Sequence, residues 1–76
     1  MARIRTSKTP SSLRVVVAGR LSAVDMRRLE HACAAALTHE RAELVIDLKR
    51  VTAMDDVAAA HLRHMAKRGA VLRKPD

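Results

Sequence analysis

"AELVIDLKRVTAMDDVAAAHL", residues 42–62, changes its hydrophobic period halfway along. Leu44, Val45 and Ile46 form a continuous apolar run, the pattern of a central strand covered on both faces. From Ala58 the apolar residues recur three and four apart, through Leu62 to Met65 and Ala66, the stripe of an amphipathic helix. Asp47 breaks the strand's apolar run, and two adjacent acids, Asp55 and Asp56, stand where the helix begins. One can serve as N-cap and the other can sit in the positively polarised first turn, each contributing about 0.5–1 kcal/mol. The strand is expected over 42–51. The helix is expected from Asp55 or Asp56 to about Arg68, with Gly69 as its left-handed closing residue.

Upstream, "LRVVVAG", residues 13–19, is β-branched and ends in glycine, which predicts a second strand. The consecutive Val15, Val16 and Val17 imply that both of its faces are at least partly covered. A helix follows in "RLSAVDMRRLEHACAAALTHE". Ser22 and Asp25 have capping-box spacing, with the hydroxyl placed to accept an early helical N–H. Met26, Leu29, Cys33, Ala36 and Leu37 make its apolar stripe, while Arg27, Arg28, Glu30, His31 and Thr38 fall outside it. Residues 1–12 read as an edge strand or a disordered segment, closed by a turn at Pro10-Ser11-Ser12. "AVLRKPD" opens a last strand as the sequence ends. The order is (β)βαβα(β), an α/β pattern. Its two strong strands, joined through a helix, are expected to be parallel with a right-handed crossover.

At 76 residues the chain makes one small domain. With no Phe, Tyr or Trp, its core must be built from Val, Leu, Ile, Met and Ala. The formal charge of +7, from 15 Lys and Arg against 8 Asp and Glu, makes nucleic acid or an anionic membrane the first partners to consider. Against that, the basic residues are scattered along the sequence and there is no aromatic platform for single-stranded bases. An arginine-rich, alanine-rich composition also raises charge without any function. A small basic nucleic-acid-binding protein is therefore the alternative reading, and specific nucleic-acid recognition is not expected. Cys33, the single cysteine, reads as an inert core thiol. No apolar stretch can cross a bilayer and no secretory signal opens the sequence, so a cytoplasmic protein is expected.

The chemistry of the side chains is sparse. His61 and His64 are three apart on the second helix, but no further ligand pattern accompanies them, and all four histidines, His31 and His39 included, read as solvated. Two glycines cannot make a phosphate loop or a dinucleotide fingerprint. Adjacent carboxylates at a helix start diverge, whereas acid/base catalysis needs two that converge on one substrate. No enzyme, metal or cofactor is implied.

Taken together, "VVVAGRLSAVDMRRLEHACAAAL" and "AELVIDLKRVTAMDDVAAAHL" resemble the STAS domain, the fold of bacterial anti-anti-sigma factors and of the cytoplasmic domains of sulfate-type transporters. The resemblance rests on Gly19 and Leu21 at the end of a strand, on Val45, Ile46, Asp47 and Leu48, on Val51 before a short loop, and on Asp55 before the second helix. It covers about residues 13–72. It implies a small mixed sheet with helices packed on one face, and a domain over 13–76 that works by docking rather than catalysis. The implied partner is an anti-sigma factor that is also a serine kinase, or the ATPase of a lipid-transporting ABC system. The implied docking face comprises Asp55, Asp56, Val57, Ala58 and Leu62.

Two departures from the family pattern matter. Asp56 occupies the phospho-acceptor serine position, with Val57, Ala58 and Ala59 in place of the Ser, Gly and Leu that follow. A serine kinase cannot phosphorylate a carboxylate, so the usual switch is expected to be absent. Asp56 then mimics the phosphorylated state, or marks a branch that never used phosphorylation, or belongs to a degenerate copy. The second departure is the expected lack of the family's C-terminal helix. That reads as a fragment, or as an open apolar groove inviting a partner helix or a homodimer.

Overall fold

The computed structural model describes residues 1–37 and 43–74, and the side chains of these except at 35–37. Its elements are β1 (Arg3–Lys8), β2 (Ser12–Leu21), a 3-10 turn (Ala23–Asp25), α1 (Met26–Leu37), β3 (Glu43–Met54), α2 (Asp56–Lys67) and β4 (Val71–Arg73). The four strands form one sheet in the order β1-β2-β3-β4. β1 pairs antiparallel with β2, while β2–β3 and β3–β4 are parallel. The expected order and parallel central pair are present. Ala36 and Leu37 of the expected stripe have side chains outside the described residues, as do Thr38, His39 and the first residue of the expected 42–51 strand.

Leu13, Val15 and Val17 of β2 stand beside Leu44 and Ile46 of β3, and their side chains enter one core. Met26, Leu29 and Cys33 of α1 and Ala58, Leu62 and Met65 of α2 join that same cluster. Both helices therefore pack on one face of the sheet. At least partial cover of both faces was the expectation, and among the described residues helices supply it on one face only. On the opposite face Val16 is half-buried, while Val45 and Asp47 are buried without a helix above them. Their cover comes from neighbours in the sheet: Arg14 and Val71 flank Val45, and the Arg14 guanidinium folds onto Asp47 at 2.7 Å.

Both central strands run past their expected ends. β3 continues to Met54, through the stretch read as a loop, because it carries two residues more than β2 over the paired length. Val16 to Leu21 spans five steps, whereas their partners Asp47 to Met54 span seven, with register shifts between Val16 and Ala18 and between Gly19 and Arg20. These are β-bulges. Asp47 explains itself at the first of them, where its Oδ1 accepts the Lys49 N–H at 3.0 Å. Gly19 does not end β2. It sits between the two shifts with φ +87°, a conformation side-chain-bearing residues rarely adopt.

The first helix begins at the expected capping box, with Ser22 as N-cap and Asp25 three residues on. Its first turn is 3-10, and Asp25 is completely buried. The carboxylate accepts from the Ser22 N–H at 3.0 Å, from the Ser22 hydroxyl at 3.3 Å and from the Ala2 N–H at 3.3 Å. The Arg28 guanidinium donates to it at 2.7 Å and reaches the Ala2 carbonyl at 2.6 Å. Besides its place in the capping box, the Ser22 hydroxyl donates to the Asp25 carboxylate. One acid ties the chain start, the β2–α1 connection and α1 together. Gly69 takes its expected place after α2, at φ +109°, with its N–H on Ala66 and the Ala70 N–H on Met65, a Schellman closure.

Burial pushes the Asp25 pKa up, but Arg28 and the N–H groups of Ser22 and Ala2 outweigh it, and the carboxyl titrates below its usual range. Asp47 is lowered as well, by the Lys49 N–H and then by Arg14. A carboxylate with a depressed folded pKa adds stability that is complete above its unfolded value, near 3.9, and is lost as pH falls through the folded one. Urea midpoints should therefore drop below about pH 4, and the Asp25→Asn/Asp47→Asn pair should flatten that drop. Asp25→Ala should cost roughly 2–4 kcal/mol in urea unfolding at pH 7, a large share of a small domain's stability.

Candidate functional site

Because β2 and β3 are parallel, their C-terminal ends lie side by side, with Leu21 opposite Met54. The chain leaves both strands there for a helix, through the 3-10 turn on one side and the start of α2 on the other. Asp55 fastens the two connections. Its Oδ1 accepts the Ala58 N–H at 2.8 Å as the N-cap of α2, and its Oδ2 accepts the Ala23 N–H at 3.0 Å. Its own N–H reaches the Leu21 carbonyl at 3.2 Å. Asp56, the first helical residue, is exposed, and its carboxylate has no hydrogen-bond or ion-pair partner among the described residues. The twin acids thus divide their work: Asp55 builds the site and Asp56 faces outward.

Exposed apolar residues stand beside Asp56 in the chain and in the turn that Asp55 bonds. Val57, next to Asp56, is 57% exposed, and Met54, at the end of β3, is 38% exposed. Val24, in the 3-10 turn held by Asp55, is 75% exposed. Sequence reasoning missed Val24 and Met54 as surface groups. A large apolar residue in the cap segment "LSAVDM" was the available signal, because the helical stripe begins only at Met26. Beside this cluster a groove of about 440 Å³ runs between the end of β3, α2 and β4, floored by Leu48, Leu62 and Leu72 and edged by Arg63 and Lys74. Its scale is that of ligand clefts, and its lining is apolar.

The remaining residues assigned to the docking face are placed elsewhere. Ala58 and Leu62 are buried at 0% and 2% exposure, facing the sheet as the helical period requires. They hold α2 in position, and Leu62 also floors the groove. Gly19 and Asp47 serve the β2–β3 register rather than the docking end. Of the histidines, His31 and His64 are exposed, and His39 lies outside the described residues. His61 is not simply solvated: its Nε2 meets Glu30 Oε1 at 3.0 Å, joining α2 to α1. Cys33 is buried in the core, and burial pushes its thiol up to about 11, so it is protonated and unreactive at neutral pH. Among the described residues no three His, Cys, Asp or Glu converge as a metal site, and no helix is long and apolar enough to cross a membrane.

A family model described as "Mlab, STAS domain" matches residues 4–75. Comparison with curated proteins returns no match.

The division between the two acids is testable by urea unfolding at pH 7. Asp55→Ala removes a helix cap and the tether to Ala23, and should cost about 1–2 kcal/mol. Asp56→Ala removes only a favourable helix-dipole charge, and should cost no more than about 0.5 kcal/mol.

Proposed function

The chain belongs to the STAS family, and we propose that it works as a non-catalytic protein-docking module whose contact surface is the end of the sheet where α2 begins. One observation carries this reading: Val24, Met54 and Val57 stand exposed on the two connections that Asp55 bonds together, beside an Asp56 with no partner among the described residues. Apolar side chains of this size, gathered on a preformed surface, contribute affinity when a partner buries them. The unpartnered carboxylate adds selection, since its burial is favourable only opposite a basic or hydrogen-bonding group.

The partner we propose is a cytoplasmic protein, and the substitution at 56 favours the transporter-type ATPase over the anti-sigma kinase. A switch at this position needs a hydroxyl, and Asp56 offers a permanent charge smaller than a phosphate's. Docking governed by a fixed charge suits a constitutive brace. On this reading Asp56 is a contact residue and not a regulated one.

Co-expression with a transporter-type ATPase or an anti-sigma kinase from the same organism tests the proposal. Val57→Glu and Met54→Lys should each weaken co-purification at least tenfold while leaving the urea midpoint unchanged. Loss of binding only in variants that also unfold would count against the surface. Asp56→Ser, incubated with the kinase and ATP, should remain unmodified if the ATPase-type reading holds. Phosphorylation of that serine, with partner release, would return the chain to the kinase branch.

A further inference from the structure

The arginines that look scattered along the sequence gather in space. On the sheet face opposite the helices, β1 presents Arg3 and Arg5, β2 presents Arg14 and Arg20, β3 presents Arg50 and β4 presents Arg73. The register fixes this: Arg5, Val16, Asp47 and Arg73 share one row across all four strands, and Arg3, Ala18 and Arg50 share the next. All six arginines are exposed, and they are six of the fifteen basic residues in the chain. Asp47 and Glu43 are the acids on that face, and Asp47 is already bonded to Arg14. Among the described residues, Arg3, Arg5, Arg20, Arg50 and Arg73 are in no ion pair.

We propose that this open sheet face binds the phosphate backbone of a nucleic-acid duplex, independently of the docking surface at α2. Three observations select that partner among anions. The six cations that the register places on the face are arginines, whose planar fork matches phosphate oxygens two at a time, and Lys49 adds its charge beside Asp47. Between them stand Val16, Ala18, Ala53 and Val71, of which Val71 is the one large apolar group substantially exposed. They offer neither the aromatic or long aliphatic anchor of a protein hot spot nor a group to insert among lipid chains. Without aromatics the face cannot stack unpaired bases, which leaves the backbone of paired strands as its target. The dimensions agree. Arg5 and Arg73 stand three inter-strand spacings apart, about 14 Å, close to the roughly 12 Å width of a major groove. Such contacts position a protein without reading sequence, so binding should be non-specific and strongly dependent on salt.

The test uses the full chain and a fluorescein-labelled DNA duplex of about 20 base pairs, read by anisotropy between about 50 and 200 mM NaCl. With about five phosphates neutralised, log K should fall against log salt with a slope near −4.5. The Arg3→Gln/Arg5→Gln/Arg73→Gln variant should bind at least about tenfold more weakly at the lowest salt, with the slope reduced by about 2.7. The Arg27→Gln/Lys67→Gln/Arg68→Gln variant removes the same charge from the helical side and should stay within about twofold of the parent chain. Should the sheet triple fail to fold, Arg5→Gln and Arg73→Gln singly should each reduce the slope by about 0.9. Equal weakening by the two triples would reduce the effect to net charge and overturn the face. So would the absence of duplex binding at the lowest salt, or displacement of the duplex by polyglutamate at equal charge. Arginine-dependent binding to phosphatidylserine vesicles by a chain that ignores the duplex would overturn it as well.

Discussion

Parallel pairing of β2 with β3 is the constraint from which the other features of this small domain follow. Parallel neighbours cannot be joined by a tight turn, so each connection must cross over the sheet through a helix. Both crossovers, through α1 and through α2 into β4, lie on the same side, and their apolar stripes meet in one core. One face of the sheet is then closed by helices, and the other is left to its own side chains. The pairing also brings the C-terminal ends of β2 and β3 to one edge, where open α/β sheets commonly present their binding loops. Asp55 needs only one carboxylate to join those two loops because the strands have already delivered them there.

The acids of this basic chain are used mainly as structural groups. Asp25 holds the chain start to α1, Asp47 steadies a bulge, and Asp55 caps a helix while bridging to the next connection. Each accepts backbone N–H groups, and two of them also draw in an arginine. A core without aromatic residues and with few large side chains gives a small domain little hydrophobic surplus, so hydrogen bonds that fix one arrangement carry unusual weight. Asp56, like Glu43, is a carboxylate with no internal partner among the described residues, and it stands at the end of the sheet proposed for docking.

The fold was largely legible in the sequence. Apolar runs, helical stripes and the two glycines report local periodicity and backbone conformation, and these decided the elements and their order. What escaped was information held between strands. The burial of Asp25 depends on Ala2 arriving beside it from 23 residues away, which no window around Ser22 contains. The length of β3 was misjudged because bulges carry no fixed spelling, and Thr52-Ala53 looks like a loop unless the partner strand is known. At the site, Asp55 was legible as a cap, and its second bond to Ala23 was not. Ala58 and Leu62 were assigned to the surface by position in a motif, although their own helical period already pointed them inward. The arginines appeared dispersed because a four-stranded face collects residues from four separate parts of the chain.

The two bulges in β3 act together as a short inversion of phase. In an unbroken strand that kept the facing of Leu48, Arg50 would turn toward the helices and Val51 toward solvent, since facing alternates at every residue. The first bulge exchanges them, so that Arg50 lies on the open face beside Ala18 and Val51 packs against the core. The second restores the original phase before Met54. A single-residue deletion between 48 and 50 would therefore do more than shorten a strand. It would straighten the strand while keeping Arg50 on the open face and Val51 on the core, because Arg50 would then follow Leu48 directly, and a second deletion between Val51 and Ala53 would make the ladder with β2 regular to its far end.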